Sequence, residues 1–125
     1  VDIITMHPRN QGGLDIAMKI AAVAESAGVA TAIGSCHLMG VGNAAFQLLG
    51  SVVGLTRPCE EIGLAPYFYG PTADQAEVID DPTIISEPFP IENGQITIRE
   101  TPGLGVEVDR AKLENVTRDM KEIGA

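Results

Sequence analysis

Hydrophobic and polar positions along the chain follow two rhythms in turn. Asp2-Ile3-Ile4-Thr5-Met6 is a short apolar, β-branched run, the pattern of a buried strand. Pro8-Arg9-Asn10-Gln11-Gly12-Gly13 ends it as a loop. From Leu14 to Ala27 the apolar positions Leu14, Ala17, Ile20, Ala21, Ala24 and Ala27 recur at helical spacing, while Asp15 and Lys19 make an i,i+4 pair on the other face. Gly28 stands where a helix C-cap glycine belongs. Val29 to Ile33 is a second strand, and Gly34-Ser35-Cys36-His37 is the turn leaving it. A second helix spans about Val41 to Val53, with Val41, Ala44, Ala45, Leu48, Leu49 and Val52 as its inward stripe. Strand, helix, strand, helix with short connections predicts an α/β fold with a parallel sheet and right-handed crossovers. The unusual side chains, His7 and then Cys36 and His37, gather at the strand ends. Parallel sheets and eight-stranded barrels place their sites at such carboxyl ends.

Beyond Gly54 the pattern loosens. Thr56 to Glu61 reads as a strand edge or loop, Leu64 to Gly70 carries both tyrosines and Phe68, and Asp80-Asp81-Pro82 is a turn. Tyr67 and Tyr69 suit a core or an interface better than a stacking site. Phe89-Pro90-Ile91 and Ile96-Thr97-Ile98 flank Glu92-Asn93-Gly94-Gln95, and Asn-Gly between such runs is a strong hairpin signal. Pro102-Gly103-Leu104-Gly105 turns the chain into Val106-Glu107-Val108. Asp109 then caps a last helix whose inward residues are Leu113, Val116, Met120 and Ile123.

Composition sharpens this reading. With 125 residues, 45% of them hydrophobic and 20% charged, the chain has the material of one globular domain and not of a disordered segment. A formal net charge of -9, with eight scattered Lys and Arg, argues against nucleic acid as a partner. Ser26 to Thr56 carries no Asp, Glu, Lys or Arg, but its glycines and Asn43 and Gln47 divide it into a strand and a helix, so it reads as buried core and not as a membrane span. Two distant cysteines, Cys36 and Cys59, make no disulfide framework, and a cytoplasmic location is the expectation. The absence of an initiator Met before Val1 suggests a piece of something longer.

Several segments together carry a family resemblance. Asp2-Ile-Ile-Thr-Met-His7, Gly12-Gly13, Ala21-x-x-Ala24-Glu25-x-Ala27-Gly28-Val29, Gly34-Ser35, Gly40-Val41-Gly42-Asn43-Ala44-Ala45 and the closing Pro102-Gly103-Leu104-Gly105-Val106-Glu107-Val108-Asp109 resemble the enolase superfamily. Within it they are most similar to the mandelate racemase and muconate lactonizing enzyme branch. The resemblance implies strands six to eight of a modified TIM (β/α) barrel over residues 1–80. It further implies a C-terminal hairpin, turn and terminal helix over 81–125 that return to a capping domain. A complete barrel takes roughly 250 residues. The remaining strands, the Mg2+ ligands and a Lys-rich base motif would therefore lie in a missing N-terminal part of the same protein, and this chain alone would be inactive. The remaining partners implied are a small-molecule carboxylate substrate and a second copy of the protein in a homo-oligomer, with no membrane.

Carried over position by position, the resemblance puts His7 at the end of strand six, where the family keeps a catalytic Lys or Asp. Gly34 takes the place of the racemase His at the end of strand seven, and Leu38 that of a cycloisomerase Glu. Glu60 falls near the acidic position of strand eight. Neither standard second base is kept, so racemisation or epimerisation, cycloisomerisation and dehydration of a sugar acid all stay open, as does a non-catalytic half barrel. The shared chemistry is removal of a proton α to a carboxylate, with a divalent metal stabilising the enediolate.

His7 suits acid–base work because an imidazole exchanges its proton near neutral pH; the bland alternative is a structural His at the barrel rim. His37 is a candidate substrate contact or a polar rim side chain, and Glu60 a catalytic acid with Glu61 solvated beside it. Arg9 suits a substrate carboxylate or simply solubility. His7, Cys36, His37 and Cys59 include soft zinc ligands, but no pair has the short spacing structural zinc favours. Adjacent Cys36 and His37 make a poor nucleophile pair, and Gly40-Val41-Gly42 lacks the third glycine of a dinucleotide loop.

Overall fold

In a computed structural model of the chain, the residues described are 1–34, 38–54, 67–69, 77–79, 83–87, 89–93 and 95–121. The first strand, β1 (Ile3–Met6), pairs in parallel with β2 (Ala30–Ile33), in the register Ile3 to Ala30 through Met6 to Ile33. Two helical segments connect them, the single turn α1 (Pro8–Gln11) and the longer α2 (Leu14–Ser26). The α1 turn replaces the loop expected between Pro8 and Gly13. A proline fixes φ near the helical value and its missing N–H would be an orphan at a first helical position anyway, so Pro8 starts a helix as readily as it ends a strand.

Gly28 ends α2 as expected, and the reason is geometric. Its φ of +68° is left-handed, its N–H donates to Glu25 O and the Val29 N–H donates to Ala24 O. These two bonds are the Schellman closure, which satisfies carbonyls that the helix itself leaves bare. The chain is thereby reversed into β2. No ion pair joins Asp15 to Lys19, both of which are exposed. An exposed pair at that spacing is worth only about 0.3–0.5 kcal/mol, too little to hold two long side chains in one geometry.

Helix α3 (Val41–Val52) follows β2, and its first turn is closed by Asn43, whose buried side chain accepts from the Gly40 N–H at 3.3 Å. The buried residues of α3 are Asn43, Ala44, Phe46 and Leu49, whereas Val52 is 68% exposed. The inward stripe is thus rotated from the expected one toward Phe46, the largest apolar side chain of the helix. One core cluster joins Met6 and Ile33 from the strands, Ala17 and Ala21 from α2, and Phe46 and Leu49 from α3. Small Ala17 and Ala21 let α2 lie close on the strands; larger Phe46 and Leu49 fill the space beside it.

Alternation along the strands gives each face a role. Met6 and Ile33, directly paired, point into the helices. Ile3 and Thr5 lie on the other face and are exposed, so only one side of β1 is covered by the described elements, and not both as a buried strand implies.

Further along, β3 (Tyr67–Tyr69) and β4 (Glu77–Ile79) form an antiparallel pair that the sequence pattern did not announce. The expected Asn-Gly hairpin is present as β5 (Ile91–Glu92) and β6 (Gln95–Ile96), with Asn93 at φ +52° in its turn. Its ladder is shorter than the flanking apolar runs. Helix α4 (Arg110–Val116) begins at Asp109, whose Oδ1 accepts from the Lys112 N–H at 3.1 Å. It buries no residue, and Val116 and Met120 are exposed, against the inward face expected of them. The helix stops at Val116, so Met120 lies beyond the turn that would have aligned it. Ile123, the turn at 80–82 and the segment 56–61 lie outside the described residues.

The tail is tied to the parallel unit through backbone. The Ile84 N–H donates to Met39 O, the Asp109 N–H to Ile84 O, and the Ser86 N–H to Glu107 O. Ile85, 2% exposed, packs on Gly40 and bridges to Val108. Arg99 staples the next turn, its Nη1 donating to Glu87 O and Gly105 O while its guanidinium lies 5.0 Å from the Phe89 ring centroid.

Two substitutions test this packing by urea denaturation. Met6→Ala, at a fully buried core position, is expected to lower stability by about 2–5 kcal/mol. Asp109→Ala removes only a helix cap and is expected to cost about 1 kcal/mol. Equal effects would mean that the β1 core is not where the stability lies.

Candidate functional site at the carboxyl ends of the parallel strands

His7 is the first residue past β1, and three local constraints place it. The residue before a proline is driven out of the helical region into extended backbone, and His7 has φ -123° and ψ 85°. The strand's alternation therefore continues through it, leaving His7 on the Thr5 face and away from the helices. Its N–H donates to the Gln11 side-chain Oε1 at 3.1 Å, and its carbonyl accepts from the Asn10 N–H at 2.8 Å. Gln11 thus clips the strand end to α1.

Across the pair, the Gly34 N–H donates to Met6 O at 3.0 Å, which carries the parallel ladder one step beyond Ile33. In this register Gly34 is the neighbour of His7, as Ala32 is of Thr5. The imidazole lies over Gly34, its Cε1 and Nε2 each 2.6 Å from where a Cβ on Gly34 would stand. His7 Nδ1 is buried and has no hydrogen-bond partner among the described residues. The ring is half-buried at the carboxyl end of the strands, on the face left open by the helices.

Of the other candidates, Arg9 is exposed on α1 and its Nε donates to Asn10 Oδ1 at 3.2 Å; no hydrogen bond joins it to His7. His37 and Glu60 lie outside the described residues, as do Cys36, Cys59 and Glu61. Sequence reasoning passed over Gln11, although a Gln four residues after a pre-proline strand end is within reach of that end. It treated Gly34 as a lost side chain, where the structure shows an occupied space. Among the described residues no group of three or more His, Cys, Asp or Glu side chains could hold a metal ion, so they offer a divalent cation no cradle. No helix among them is long and apolar enough to cross a membrane.

Comparison with known proteins extends the pattern. A family model described as enolase C-terminal domain-like matches residues 1–112. A chloromuconate cycloisomerase of Pseudomonas putida is 29% identical over 119 residues, a match covering 94% of this chain and 29% of that protein. The crystal structure of a muconate lactonizing enzyme from Klebsiella pneumoniae superposes with a TM-score of 0.71 at 28% identity, over 94% of this chain and 30% of the other. An enolase from Streptomyces coelicolor, described as a putative sugar isomerase, gives a TM-score of 0.72 at 30% identity, over 92% of this chain and 27% of its own. The chain spans less than a third of the length of each of these relatives. On the strength of that family match, the chain belongs to the enolase superfamily, on its mandelate racemase and muconate lactonizing enzyme side, and has the fold of closing βα units of the C-terminal barrel.

Proposed function

We propose that this chain is the C-terminal part of an enzyme that moves the proton α to a carboxylate, and that cycloisomerisation of a muconate-like diacid is its reaction. The observation that carries the reading is the His7 imidazole at the carboxyl end of the parallel pair, on the face away from the helices. The names of the cycloisomerase relatives support the choice among racemisation, cycloisomerisation and dehydration. Residues 1–80 contribute barrel strands six to eight, and residues 81–125 a tail that returns to a capping domain. The magnesium that would stabilise enediolate charge takes its ligands from upstream sequence, and the working enzyme is a cytoplasmic homo-oligomer.

Lactonisation adds a carboxylate oxygen to a double bond and leaves negative charge spread over the second carboxylate and its α-carbon. One proton delivered to that carbon completes the product. In this reading His7 is an acid–base group at the site, within reach of a substrate held above the strand ends, and Glu60 is a second acid. His37 and Arg9 contact the substrate carboxylates, Arg9 through the paired donors of its guanidinium.

Two experiments on the full-length protein test this. His7→Ala is expected to lower kcat on muconate by about 10²–10⁴-fold, the usual worth of general acid–base catalysis; unchanged turnover removes His7 from the chemistry. In D2O the lactone is expected to gain one deuterium at the protonated α-carbon, seen by proton NMR. A 2-keto product from a sugar acid, with muconate untouched, would replace cycloisomerisation by dehydration.

A further inference from the structure

Gly34 is buried, yet its backbone lies outside the left-handed region that calls for glycine. What it needs is space. An added Cβ would stand 2.6 Å from His7 Cε1 and Nε2 and 2.8 Å from Thr5 Cγ2, distances that packed atoms do not adopt. The Thr5 contact can be relieved because that side chain is exposed. Pro8 and the Gln11 bond fix the backbone from which the imidazole projects, so it is the ring itself that a methyl group would turn aside. Among the described residues no hydrogen bond holds the ring itself, and its buried Nδ1 has no partner there. Among the described residues it is close packing on the bare surface of Gly34 that bears on where the ring rests.

We propose that Gly34 is a positioning residue, whose missing side chain lets the His7 imidazole lie across the end of β2. The proposal rests on the assignment of His7 to acid–base work. One imidazole then occupies the ends of two neighbouring strands, carried by β1 and seated on β2. An acid–base group must be held to within a fraction of an ångström of its productive position, and a shift of 1 Å costs about a hundredfold in rate. A methyl group at position 34 forces a displacement of that order.

The test is made in the full-length protein with muconate as the probe. Gly34→Ala is expected to lower kcat by about a hundredfold while KM changes by less than about threefold, the pattern of a lost transition-state interaction. With histidine labelled at ¹³Cε1, the His7 signal, assigned by its loss in His7→Ala, is expected to show a nuclear Overhauser contact to the Gly34 α-protons and to move in Gly34→Ala. Simple misfolding is separated by His7→Gly/Gly34→Ala, where the methyl enters the space the ring has left. Its melting temperature should match that of His7→Gly alone, although Gly34→Ala alone melts lower than wild type. Wild-type kcat in Gly34→Ala beside an inactive His7→Ala overturns the positioning role and leaves His7 catalytic. A fully active His7→Ala instead sinks the acid–base reading, and the role of Gly34 with it. An additive loss of stability in the double variant, or an unmoved His7 signal in Gly34→Ala, also overturns the proposal.

Discussion

The parallel register between β1 and β2 is the constraint on which everything else turns. Pairing Met6 with Ile33 sends both side chains into α2 and α3. The same register, one residue on, sets His7 beside Gly34 on the opposite face. Because side chains alternate with period two, a slip of one residue would exchange the faces. Core and site would be lost in the same step. Core and candidate site are here two readings of one alignment.

Much of that alignment was legible from the sequence, for definite reasons. Alanines at helical spacing, a glycine at the end of α2 and two apolar runs of strand length leave few ways to arrange residues 1–53. Asp109 and the Asn93-Gly94 turn were equally readable, since each is a local device whose chemistry is complete within a few residues. The family resemblance rested on the same glycines and strand ends, and the enolase C-terminal domain-like model matches residues 1–112.

What escaped the sequence was decided at longer range. The stripe of α3 turned toward Phe46 because its volume fits beside the two alanines of α2, a fact about a neighbour and not about α3. The Pro8 turn was hidden because proline marks both the end of a strand and the start of a helix. Leu113, Val116 and Met120 have helical spacing, but spacing does not supply a surface to bury against, and α4 finds none among the described elements. At the site, Gly34 looked like a residue lost from a catalytic position. Only the three-dimensional closeness of an imidazole gives that absence a meaning.

The ties between tail and parallel unit bear on the order in which the molecule is made. Met39 O is held by Ile84 N–H, and Ile84 O in turn by Asp109 N–H, so the residue that leads into α3 is anchored by segments far along the chain. β1, β2 and the helices that cover them all lie within the first half of the sequence, so they are synthesised before the tail. The bonds from Met39 to Ile84 and from Ile84 to Asp109 need residues made later. During translation β1 and β2 therefore emerge first, while the brace on Met39 is complete only once residues 107–109 have been made. A nascent chain paused before that point would carry Ile84 without the bond from Asp109 that holds its carbonyl.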